Sequence, residues 1–198
     1  MITTIAAALL AATAAQASTP APTQPQANAA AGLWDPAIRL AAQREAMKAL
    51  AFLDGTWRGG AQDDGGGGSF VQTERVGTLL EGSVRLVEGR GYDGAGKTMF
   101  NALGIISYDP VKRAYMMRSY AMGYAGDYPL TVRPDGFAWS HPAGPGASMR
   151  YTATVKDGVW REIGERVPDG AAPVKMFEMR LQRIGASDWP AGDAVAPR

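Results

Sequence analysis

The sequence predicts an all-β protein: about ten strands in an antiparallel up-and-down barrel, preceded by one amphipathic helix. Three observations carry this. From Gly55 onward polar and apolar residues alternate with a period of two. The alternating segments are separated by turn chemistry: Asp-Gly at 64–65, 93–94, 135–136, 157–158 and 169–170, and Asp109-Pro110. Asp-Gly between alternating segments is a strong hairpin signal, because both residues tolerate the left-handed backbone that a tight turn needs. Finally, no run with helical spacing interrupts the series.

The elements follow in order. Residues 1–17 read as an export signal: an apolar, alanine-rich run from Ile5 to Ala15 ends at Ala15-Gln16-Ala17, which fits the small-x-small cleavage rule. The leading segment carries no Lys or Arg, so the terminal amine is its only positive charge. The run falls short of the roughly 20 apolar residues that span a bilayer, so no membrane span is expected. Residues 18–34, rich in Pro, Ala and Gln, read as a flexible linker. These features place the mature protein in the periplasm or outside the cell. Asp35-Pro36 supplies a helix N-cap and a first-turn proline. Ile38, Ala42, Ala46, Ala49, Leu50 and Leu53 then recur at helical spacing, predicting a helix that ends near Phe52 and packs as a lid or plug. Strands are expected at 56–62, 69–79, 82–92, 97–108, 113–122, 126–133, 136–141, 148–156, 159–167 and 174–184. Pro129 marks the sixth as an edge or a bulge. The domain is bounded at 35–185, with a disordered tail at 186–198.

One motif points elsewhere. Gly91-Tyr92-Asp93-Gly94-Ala95-Gly96-Lys97-Thr98 fits the phosphate-loop pattern G-x-x-x-x-G-K-[ST]. That motif works only between a buried parallel strand and a helix whose N-terminus faces the phosphates. Here the preceding "SVRLVEGR" alternates, and the following "MFNALGIISYDP" reads as another strand. Asp93-Gly94 is therefore expected to turn a hairpin.

Composition removes several function classes. There are no cysteines, so disulfides and thiolate metal sites are excluded, and the single histidine, His141, rules out a His-His metal motif. Twenty basic residues against 19 acidic ones give no bias toward nucleic acid or an anionic membrane. No Gly-x-Ser-x-Gly elbow is present.

A small barrel either fills its interior or holds one ligand. Polar residues stand beside aromatics in several segments: Arg75, Glu88, Arg90, Arg118, Tyr120, Tyr151, Glu162, Glu165 and Glu178. Phe177, Met179 and Leu181 share an apolar face; Met116, Arg118, Tyr120 and Met122 share another. The expected function is non-catalytic binding of a small, largely apolar molecule in the barrel. Arg118 and Tyr120 are its expected polar anchors, and Glu88, Arg90, Met116 and Met179 its further contacts. Charges on the solvent side are the competing reading of these residues. The alternatives are an enzyme using the Arg/Glu/Tyr set, and a structural or partner-binding barrel with no cavity.

"LAFLDGTWRGGAQ" (Leu50–Gln62), "ERVGTLLEGSVRLVEGRGYD", "ALGIISYDPVKRAYMMRSYAMGYAGDY" and "FEMRLQRI" together resemble an uncharacterised bacterial domain-of-unknown-function family of the calycin group. That family is related to lipocalins, fatty-acid-binding proteins and nitrobindins. The resemblance covers about residues 45–185 and implies a closed barrel with a helix near one end, but no established activity. It implies a structural pair in which Arg183 covers the first-strand Trp57. Through the nitrobindins it also implies haem, for which His141 is the one imidazole; no cofactor is the favoured expectation.

Overall fold

The computed structural model describes residues 34–190 together with Gly32. The expected signal and all of the linker except Gly32 and Trp34 lie outside the described residues. A helix, α1 (Pro36–Met47), is capped by Asp35, whose carboxylate accepts the Ala37 N–H at 2.8 Å. A 3₁₀ segment (Lys48–Leu53) continues it. Ten strands follow: β1 (Gly55–Asp63), β2 (Gly68–Leu79), β3 (Val84–Tyr92), β4 (Thr98–Asp109), β5 (Ala114–Ala121), β6 (Tyr124–Arg133), β7 (Gly136–Pro142), β8 (Ala147–Lys156), β9 (Val159–Pro168) and β10 (Val174–Gly185). Each pairs antiparallel with its chain neighbours, and β1 pairs with β10 to close the barrel.

The helix and the 3₁₀ segment stopper one end. Met47, Leu50 and Leu53 are at most 1% exposed and pack in one cluster with Trp57, Val76, Ile106, Leu130, Phe137, Trp160 and Leu181. Ile38 and Ala49, expected on the apolar face, are exposed instead: Ile38 lies in the first turn, away from the barrel, and the change to 3₁₀ winding at Lys48 buries Leu50 and Leu53 and turns Ala49 outward. Trp57 donates its indole N–H to the Leu53 carbonyl at 2.9 Å and meets Trp160 edge to face at 5.8 Å. The Arg183 guanidinium lies 5.7 Å from the Trp57 ring, within cation–π range. Arg85 locks the stopper. It donates to both Asp54 carboxylate oxygens, at 2.6 and 2.9 Å, and to the Met47 carbonyl at 2.8 Å, while itself only 3% exposed. A buried guanidinium needs such partners, since an unpaired one costs several kcal/mol.

The phosphate-loop motif is the β3–β4 hairpin. Its backbone N–H groups at Ala95 and Lys97 donate to the Asp93 carboxylate, both at 2.9 Å, and Gly96 takes the left-handed conformation (φ 77°). The motif's own acid thus takes amides that a phosphate would need. Pro129 lies in β6 just where the β6–β7 ladder stops: that ladder pairs only Leu130–Arg133 with Gly136–Trp139. Its missing N–H is harmless there, so the edge reading holds on that side. Beyond it, the wall between β6 and β7 is unpaired. The tail expected from residue 186 is ordered against β2 as far as Pro190: Trp189 lies under the Arg75 guanidinium, 4.6 Å away, and over Gly77.

Two pairs of substitutions check this architecture. A Cβ at Gly59 would overlap the Arg180 carbonyl across the closing β1–β10 seam, whereas one at Gly60 meets nothing within 4 Å. Gly59→Ala is expected to cost more than about 2 kcal/mol in denaturant unfolding and Gly60→Ala to stay within about 1 kcal/mol; equal costs contradict the seam geometry. Trp57→Ala is expected to destabilise by about 3–5 kcal/mol and Arg183→Ala by about 1 kcal/mol. A double-mutant cycle with no coupling between the two rejects their pairing.

Candidate functional site: the lumen behind the open end

Strand alternation decides what the lumen contains. Trp57, Val76, Ile106, Met117 and Leu181 belong to the core, so residues an even number of places away along each strand also face in. At the stoppered end these inward positions are fully buried. Toward the other end they are only partly covered: Phe70, Phe100, Tyr128, Trp139, His141, Tyr151 and Phe177 all keep intermediate exposure. Trp139 and Tyr151 stack with centroids 4.5 Å apart and planes 12° off parallel. Tyr128 and His141 lie 5.7 Å from Trp139, and Phe177 lies 6.3 Å from Tyr151. On β4 and β5 the inward positions Ala102, Gly104, Ser119 and Ala121 are small and pair across the ladder, and Met117 packs over Gly104, its Sδ 3.2 Å from where a Cβ would stand.

Below the rings lie two carboxylates. Glu74 on β2 is 8% exposed and Glu162 on β9 is 7% exposed. Gln72 donates its amide to Glu74 at 2.7 Å, and Trp160 donates its indole N–H to Glu162 at 3.1 Å. Gly89 makes room for the first: a Cβ there would come within 2.8 Å of Glu74 Oε1. Among the described residues neither acid forms an ion pair, which separates them from the paired acids of the outer wall. Burial pushes Glu74 up to about 8, opposed by the Gln72 hydrogen bond and reinforced by the charges of Glu162 and Glu88. Burial likewise pushes Glu162 up to about 7, against hydrogen bonds from Trp160 and Trp139. Burial also pushes the Tyr151 hydroxyl up to about 12, with Glu162 and Asp63 adding to it.

The residues expected to bind ligand are placed differently. Arg118 and Tyr120 point out of the barrel: Arg118 donates to the Tyr120 hydroxyl at 2.9 Å and to Asp127 at 2.7 Å, with its side chain half exposed. Met116 shares their outward parity, because Met117 takes the inward place. Glu88 and Arg90 are also outward, in a cluster with Arg75 at 2.6–2.7 Å. Burial pushes Glu88 up, but the hydrogen bonds from Arg90 and Arg75 outweigh it and hold the carboxyl below its ordinary value. Of the expected contacts, Met179 alone faces the lumen, 4% exposed and opposite Glu162. Glu74, Gln72 and Trp139 were missed. The available signal was parity with an apolar partner: Glu74 lies two residues before Val76, and Glu162 two after Trp160.

No family model matches the chain, and no curated protein matches it. Among solved structures it is similar to Rv2717c from M. tuberculosis, with a TM-score of 0.52 at 12% identity, over 70% of this chain and 96% of that one. That likeness supports the barrel fold. Among the described residues, no helix is long and apolar enough to cross a membrane.

The two acids give a pH signature. Each holds its proton in the folded state at pH values where the unfolded chain, with an ordinary value of 4.5, has lost it. Their contribution to stability is complete below about 4.5 and is lost as pH rises through about 7 to 8. Thermal unfolding is expected to show Tm falling across that window, and Glu74→Gln to reduce the fall and raise Tm at alkaline pH. A variant that tracks the wild type at every pH contradicts the buried-acid geometry.

Proposed function

We propose that this is an exported, calycin-like binding protein that holds one small, largely apolar molecule in the barrel lumen without chemical change. The observation that carries this is the ring of inward-facing aromatic residues left partly exposed at the open end, above a stoppered floor. An isolated barrel with no ligand has little reason to leave such side chains half covered, since each gains roughly 25 cal/mol per Å² of apolar surface removed from water. The stretch between β6 and β7 without ladder pairs is bridged by side chains, the rings of Tyr128 against Trp139 and His141. The N-terminal apolar run with its small-x-small site supports export. The haem alternative is less favoured: Trp139, Tyr128 and Tyr151 crowd His141 with ring centroids 5.7–6.0 Å away, a poor fit for a macrocycle that needs the iron's face clear.

A second reading has its own support. Carboxyl groups poised near neutral pH suit general acid–base chemistry, so Glu74 and Glu162 could pass a proton to and from a bound carbonyl compound. Solvent deuterium entering the α-carbon of a bound ketone, abolished in Glu162→Gln, is the result that moves the assignment there.

The binding reading is checked with N-phenyl-1-naphthylamine, an uncharged fluorescent probe. Saturable one-to-one binding that quenches tryptophan emission is expected. Tyr151→Ala is expected to weaken it about tenfold, in line with one lost aromatic contact, and Arg118→Ala to leave it unchanged. Loss in the Arg118 variant alone moves the site to the outer wall. Absence of saturable binding supports a filled, structural barrel.

A further inference from the structure

We propose that the lumen takes an organic cation, an apolar ring-bearing amine whose ammonium sits against Glu74 and Glu162. This rests on the lumen being the binding site and names the class of molecule it admits.

Three features point to positive charge. Glu74 and Glu162 are both more than nine-tenths buried and face the lumen from β2 and β9, yet among the described residues neither has a cationic partner. Acids of the outer wall are treated differently: Glu88, Asp127, Glu165 and Glu178 each meet an arginine within 2.8 Å. A buried carboxylate needs a counter-charge or a proton, and the fold supplies arginines freely outside but not here. Beside the acids, Trp139 stacks on Tyr151 at 4.5 Å and Tyr128 packs against Trp139 at 5.7 Å, an electron-rich ring cluster that favours a nearby cation. The basic groups with inward parity are spoken for or remote: Arg85 is locked to Asp54 and Met47 at the stoppered end, Arg183 lies over Trp57 at the same end, and Arg166 is exposed at the mouth.

The same features disfavour a carboxylate-bearing lipid, whose charge would face two acids and no free lumen arginine among the described residues. They also predict proton release. Burial favours the protonated form of both acids, and one ammonium offsets one buried carboxylate, so its uptake releases about one proton from the pair while the second carboxyl keeps its own. The other titratable or charged groups near the pair are Asp63 on β1, Glu88 behind β3, Tyr128 on β6, His141 on β7, Tyr151 on β8 and Arg166 on β9. None is a cation held against either acid.

The test is calorimetric titration of the full mature chain with three isosteric probes: 2-naphthylmethylamine, 2-naphthylmethanol and 2-naphthylacetate. The amine is expected to bind at least about tenfold tighter than the alcohol, the margin of a desolvated cation–π and charge contact, and the acetate more weakly than either. In Glu74→Gln/Glu162→Gln, which keeps the shape of the protonated pair, the amine-to-alcohol affinity ratio is expected to collapse toward unity. Titration of the wild type in buffers of different ionisation enthalpy reads the proton release and needs no variant. Alcohol binding as tight as the amine, or an unchanged ratio in the double variant, overturns the cation assignment while leaving the lumen site standing. If none of the three probes binds, the lumen reading falls with it.

Discussion

The structure depends on the lock between Arg85 and the corner where the helical segment enters the first strand. One buried guanidinium on β3 takes both oxygens of Asp54, the residue that leads into β1, and the carbonyl of Met47, the last residue of α1, so the two ends of the 3₁₀ segment are tied to one strand. That tie seats Leu50 and Leu53 on Trp57, and the Trp57 indole returns a hydrogen bond to Leu53. A barrel of about eight strands is just wide enough for its own side chains to fill. Ten strands enclose a wider interior, and the stopper packs into one end of it. The other end is left with the partly covered rings, the small side chains of β4 and β5, and two acids too deep for bulk water to solvate.

Charge is divided between the two faces of one sheet. Outside, Arg75, Glu88 and Arg90, then Arg118 and Asp127, then Arg150 and Glu165, then Arg161 and Glu178 form cross-strand pairs. Such exposed pairs contribute little individually, while hydrogen bonds from Arg90 and Arg75 hold Glu88, and those from Lys175 and Arg161 hold Glu178, below the ordinary carboxylate value. Inside, among the described residues, Glu74 and Glu162 have hydrogen-bond donors but no cation, so burial dominates and pushes both carboxyls up. Residue type alone does not separate these two groups of glutamates; the side of the strand does.

That distinction explains how much the sequence revealed. The ten strands and their hairpins were legible because turn chemistry and alternation are local: Asp93-Gly94 and Asp157-Gly158 define their turns without help from the rest of the chain. The Trp57–Arg183 contact was legible through family resemblance. The site was not, because both faces of these strands carry polar residues. On β5 the outward set Met116, Arg118, Tyr120 reads as more apolar and aromatic than the inward Met117, Ser119, Ala121, which is small to leave space. The expectation followed side-chain size and put the lumen on the wrong face. On β2, Gln72 and Glu74 share parity with Val76, but the opposite face carries Val71 as well, and the non-local pairing with Gly89 and Gly91 decides which side faces in. The packing of Trp189 against Arg75 and Gly77 is equally non-local.

A site in the lumen has a direct spectroscopic readout. Backbone amide NMR spectra, recorded with and without 2-naphthylmethylamine, map contact residue by residue. Shifts concentrated at inward positions of the open end, Gly89, Ala102, Tyr151, Gly164 and Met179, with Arg118, Asp127 and Arg161 unmoved, are what this arrangement predicts. Shifts centred on the outer β5–β6 surface, or a spectrum that does not change at saturating probe, contradict it.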